Sequence, residues 1–154
     1  MRARAALALL LCASACAADG LDAEAPLPSA DVATFAARAQ PTLAERCAHP
    51  SCHGRPGPLE LYAELLHRRD PADNFRHRPL TSAELLHTLR ECLLRLDLQT
   101  PDDSRLLVMA LRGPGSGGSG GHGFGPVFAD SADAGYQQLK AWAMAAANAA
   151  AGAP

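Results

Sequence analysis

The run Cys47-Ala48-His49-Pro50-Ser51-Cys52-His53, followed by Gly54, constrains this chain more than any other stretch. It offers two thiols for thioether bonds to haem vinyl groups and one imidazole that can reach the iron of the same macrocycle. The usual attachment run is Cys-x-x-Cys-His, whereas four residues separate these cysteines. The same residues also suit a Cys47–Cys52 disulfide, a metal site or two unrelated thiols. A covalent haem would give the fold a large apolar body to pack around.

The N-terminus bears on the compartment. Arg2 and Arg4 form a basic start, Ala5 to Leu11 a short apolar stretch, and Ala13-Ser14-Ala15 a small-residue cleavage signal before Cys16. The apolar stretch is far short of the ~20 residues that span a bilayer, so residues 1–15 read as an export signal. Ala13-Ser14-Ala15-Cys16 resembles a bacterial lipobox, in which Cys16 is diacylated and becomes the first mature residue; plain signal-peptidase cleavage is the alternative. Either route places the mature chain outside the cytoplasm, as a periplasmic or outer-membrane-anchored protein. Covalent haem is attached there, and disulfides persist there.

The chain has five cysteines. With Cys12 removed and Cys16 assigned to lipid, Cys47, Cys52 and Cys92 remain, an awkward number for a disulfide framework. Cys92 lies among Leu85, Leu89, Leu93 and Leu96 on the apolar face of a predicted helix, where a thiol behaves as a small hydrophobe. Loss of residues 1–15 takes Arg2 and Arg4 from 14 basic residues, leaving 12 against 16 acidic ones and a formal charge of −4. No basic excess points to nucleic acid as a partner.

Residues 16–29, acidic and proline-containing, read as a tether, and residues 30–150 as one domain. Asp31 to Ala39 predicts a helix with Val32, Phe35, Ala36 and Ala39 on one face; Pro41 predicts a kink or a fresh start, with Leu43 leading on to Cys47. Gly54, Pro56, Gly57 and Pro58 predict a turn, and residues 59–66 a short helix. His67 to Pro79 reads as a solvated loop, from which Arg68, Arg69, Arg76 or Arg78 can pair with a haem propionate. Thr81-Ser82-Ala83-Glu84 has capping-box spacing and opens a helix to about Leu96. Asp102 or Asp103 is expected to cap a helix holding Leu106, Leu107 and Met109. A glycine-rich loop covers 113–125, and a closing helix runs from Ser131 to about Ala149. With no alternating β-branched run, the expected class is all-α with long loops.

The glycine loop lacks the Gly-Lys-Ser/Thr ending of a phosphate-binding loop and follows no strand. Ser51 near His53, or Asp133 near Ser131, are proximities that any polar loop produces, so hydrolytic catalysis is not expected.

Phe35, Pro41, Leu43 and the Cys47-to-Gly54 run resemble the opening of cytochrome-c-like domains in exported bacterial lipoproteins. The second half is similar too: Ser104-x-Leu106-Leu107, Gly121-His122-Gly123, Phe128, Asp133, Tyr136, Leu139 and Trp142 follow in the expected order. The resemblance covers most of residues 31–145. It implies a small helical cytochrome-c-like fold with one covalent haem c on Cys47 and Cys52, and His53 as proximal ligand. It also implies an electron carrier rather than an enzyme, serving redox partner proteins, and the helix of Phe35 packed on the last helix. Membrane association would run through the lipid on Cys16. For the second axial ligand the candidates are His122, Met109, His67, His77 and His87. His122 is favoured over Met109, because flanking glycines let the backbone approach a flat macrocycle and the resembling domains carry a histidine there. Two rival readings remain: a noncatalytic secreted lipoprotein with a Cys47–Cys52 disulfide, and a zinc domain using Cys47, Cys52, His53 and His49 or His122.

Overall fold

A computed structural model describes residues 29–112, 122 and 125–152. The export signal, Cys16, the tether up to residue 28 and most of the glycine segment lie outside the described residues.

The first helical stretch is continuous but not uniform. Helix α1 (Ser29–Thr34) passes through a π-helical turn over Phe35–Ala39 into α2 (Gln40–Arg46). Proline at position 41 has no N–H to donate, and in an α register its ring would clash with the carbonyl four residues back. The chain widens instead of kinking: the Gln40 N–H reaches back five residues to the Phe35 carbonyl, and Pro41 falls in the first turn of α2. Phe35 and Leu43 are both fully buried on the inner face of this stretch.

The expected helix over 59–66 is not formed. Its polar backbone groups are taken by distant partners: Leu61 N–H by the His53 carbonyl at 2.8 Å, Tyr62 N–H by Thr88 Oγ1 at 3.1 Å, and the Tyr62 carbonyl by Gln40 Nε2 at 2.9 Å. With those groups satisfied across the fold, no helical ladder is needed, and Leu65 turns the chain at φ +63°.

Helix α3 (Ser82–Leu93) opens on the expected capping box. Thr81 Oγ1 accepts from the Glu84 N–H, and the Glu84 carboxylate accepts from the Thr81 N–H. It ends three residues earlier than Leu96. Helix α4 (Arg105–Leu111) follows a 3-10 turn over Pro101–Asp103, so Asp102 and Asp103 sit in that turn and Ser104 takes the cap position. Ser104 makes no cap bond, because its hydroxyl accepts from the Asp97 N–H at 2.8 Å. Helix α5 (Ala134–Ala151) begins at Asp133, whose carboxylate takes the Gly135 and Tyr136 N–H groups.

These helices enclose one core, and no strand occurs among the described residues. The α1–α2 stretch lies on α5, with the Phe35 and Trp142 rings edge to face at 5.1 Å. Ala39, Ala143 and Ala146 are buried between them, and such small side chains let helix axes approach. Thr42 Oγ1 donates to Gln138 Oε1 at 3.1 Å across the same seam. Cys92 is fully buried beside Leu89. Among the described residues no helix is long and apolar enough to cross a membrane.

The loop over 67–81 departs from a solvated surface at one residue. Arg68 is 1% exposed, and its Nε and Nη2 donate to the two Glu84 oxygens at 2.9 and 2.7 Å, while Nη1 and Nη2 reach the Arg78 and Pro79 carbonyls. Burial pushes the Glu84 carboxyl up, but hydrogen bonds from Arg68, Thr81 and the Arg69 N–H outweigh it and bring its pKa down to about 2. This pair clips the loop to the start of α3.

Candidate functional site

The cysteine–histidine run follows the end of α2. The Cys47 and Ala48 N–H groups both donate to the Leu43 carbonyl, and Cys52 and Gly54 both donate to the His49 carbonyl. His53 N–H then closes on the Cys47 carbonyl at 3.1 Å. The wide spacing is therefore absorbed as a closed turn that returns His53 beside Cys47. Gly54 is required there: a Cβ on it would overlap the Ala48 carbonyl oxygen and lie 2.8 Å from the carbonyl carbon. His49 stays exposed, its Nδ1 2.7 Å from Ser51 Oγ.

Cys47, Cys52 and His53 line a cavity of about 610 Å³, within the ~300–1,000 Å³ range of small-molecule and cofactor sites. Its apolar wall comes from α2, α4, α5 and the extended segment, through Leu43, Leu106, Leu139, Leu59 and Leu61. His122 and Met109 also face it. The His122 N–H donates to the Arg112 carbonyl at 3.1 Å. The His122 ring lies 5.9 Å from that of His53, centroid to centroid, with the planes at 74°.

His53 is held through its backbone. Its N–H donates to the Cys47 carbonyl and its carbonyl accepts the Leu61 N–H, while its ring lies beside the Leu59 carbonyl. Burial lowers its pKa, and the neighbouring His122, Arg95 and Arg55 lower it further against the opposing effect of that carbonyl. The imidazole is thus kept neutral, the form that binds metals. Burial, aided by nearby Cys52, raises the Cys47 pKa to about 12, so this thiol is protonated at neutral pH.

The other candidates lie elsewhere. His67 and His87 contact Glu60 at 2.8 and 3.5 Å and pack on either ring contact of Tyr62, and His77 is exposed beside Glu64. None of the three lines the cavity. Arg68, Arg69, Arg76 and Arg78 do not line it either: Arg68 is committed to Glu84, and Arg78 pairs with Asp73 at 2.9 Å. The arginines that do line it are Arg55, Arg95 and Arg105, which sequence reasoning missed because they are scattered over three segments with no shared motif.

Cys47, Cys52 and Cys92 are free thiols. Among the described residues no three His, Cys, Asp or Glu side chains form a group that could hold one ion. The chain matches no family model, no curated protein and no solved structure.

Proposed function

We propose that this chain is a monohaem c-type cytochrome-like module of an exported lipoprotein and that it carries single electrons between redox partner proteins. One observation carries the reading: both thiols and the adjoining imidazole line one apolar cavity, with a second imidazole across from the first at 5.9 Å. His53 and His122 would be the two imidazoles within reach of one iron held in the cavity, which would supply the redox chemistry. The same spacing favours His122 over Met109 as second ligand.

Bound haem supplies an iron that takes up and releases one electron, at a potential set by axial ligands, burial and hydrogen bonds. In this reading Cys47 and Cys52 would anchor the group covalently, and His53, held by its backbone bonds to Cys47 and Leu61, would supply the proximal imidazole. Leu43, Leu61, Leu106 and Leu139 exclude water and lower the local dielectric. The export signal and a lipid on Cys16 would tether the module to a membrane, and nothing in its charge calls for nucleic acid.

The test is a redox titration of the exported protein followed optically. The reading predicts a reversible one-electron wave. His122→Ala should shift both its midpoint and the haem spectrum, while Met109→Leu should leave both nearly unchanged. A ferric sulfur-to-iron charge-transfer band in wild type that vanishes in Met109→Leu would reassign the second ligand to Met109. Absence of any one-electron wave would remove the carrier role.

A further inference from the structure

The cavity wall carries a charge pattern that the axial residues do not explain. Its charged lining residues among those described are all cationic, Arg55, Arg95 and Arg105, and no Asp or Glu joins them. This occurs in a chain with more acids than bases, 16 against 14, so it does not follow from overall composition. Arg55 and Arg105 enter no ion pair among the described residues.

Arg95 is half-buried and pre-positioned. Its Nη1 meets both the Glu91 carboxylate, at 3.1 Å, and the Glu91 carbonyl one turn back. The guanidinium is thereby oriented while its Nε and Nη2 stay available, the edge that takes a carboxylate bidentately. The Arg95 carbonyl accepts the Leu106 N–H at 3.1 Å, and that bond brings the backbone of Arg95 beside the start of α4, where Arg105 stands. Two arginines ten residues apart in sequence therefore line the same apolar cavity.

We infer that Arg95 and Arg105, with Arg55 on the attachment-turn side, form a seat for the two carboxylates of a flat apolar dianion, which fixes how that ligand is turned within the cavity. This rests on the haem reading for the identity of the ligand, a macrocycle with two propionates, but not on its covalent attachment. A charge-assisted bidentate bond in a partly buried site contributes more than a neutral one, whereas an exposed Arg105 alone contributes little. Arg95 is therefore the principal positioning residue and Arg105 its support.

The experiment compares iron protoporphyrin IX with its dimethyl ester, which keeps the ring and removes both charges. Each is titrated into the full exported chain purified from a host without attachment machinery, and binding is read by absorption. The free acid should bind roughly tenfold more tightly than the ester or better. Arg95→Gln/Arg105→Gln should bring that ratio towards one, Arg105→Gln alone should give an intermediate ratio, and Arg76→Gln, exposed and outside the cavity, should preserve it. Equal binding of acid and ester by wild type, no binding of either, or an unchanged ratio in the double variant would overturn the proposal. Covalent attachment is read separately, by denaturing stain after maturation in a competent host. A chain that prefers the free acid but never retains haem through denaturation keeps the carboxylate seat and loses the c-type reading.

Discussion

Gly54 admits no side chain, since a Cβ would collide with the Ala48 carbonyl against which the attachment turn is wound. The neighbour is backbone, so it cannot rotate away. Gly54→Ala should therefore open the turn, lower thermal stability by several degrees and reduce haem retention, whereas Gly57→Ala, whose nearest contact is 3.9 Å away, should do neither. Melting curves and haem stain of the two variants decide this. Glu84 makes a second residue-level claim. Its folded pKa of about 2 lies below the ordinary value of 4.5. Its contribution is thus fully present above about pH 4.5 and lost progressively as pH falls towards 2, an effect on the order of 3 kcal/mol. Glu84→Gln should flatten the acid limb of the stability–pH curve. It should also destabilise the protein at pH 7 by roughly 3–5 kcal/mol, because Arg68 is left buried without its partner. An unchanged acid limb in urea titrations at pH 3 and 7 would contradict this assignment.

At the scale of elements, legibility followed how local the deciding interaction is. Helix α3 was readable because its start is fixed by Thr81 and Glu84 within four residues, and α5 because Tyr136, Leu139, Trp142 and Ala146 repeat at helical spacing, although the Asp133 cap places its start at Ala134 rather than Ser131. The stretch 59–66 has the same apolar spacing yet is not helical, since Gln40, His53 and Thr88 claim its backbone from far away in sequence. Arg68 read as solvated for a similar reason: only the fold shows that Glu84 closes over it. The packing of α1–α2 on α5 yields a direct prediction. Trp142 is fully buried against Phe35, so Trp142→Ala should cost about 3–5 kcal/mol, a large part of the ~5–15 kcal/mol that holds a domain folded. A melting temperature within a degree or two of wild type would mean that α5 is peripheral to the core.

For the molecule as a whole, one cavity ties the parts together. The attachment turn, His122 and residues of α2, α4 and α5 all line it. The cysteines and His53 were legible as a local run, but the arginines and the shared wall were not, because each comes from a different element. Cys92 is buried outside that wall, so Cys52→Ser should weaken or abolish haem attachment while Cys92→Ser leaves it intact, a contrast that mass analysis resolves. The most direct test of the account is the absorption spectrum of the wild-type chain, exported from a host with attachment machinery, before and after denaturation. The account predicts an intense haem band that stays with the polypeptide, one haem per chain; a chain without haem, whose mass shows a Cys47–Cys52 disulfide, would contradict it.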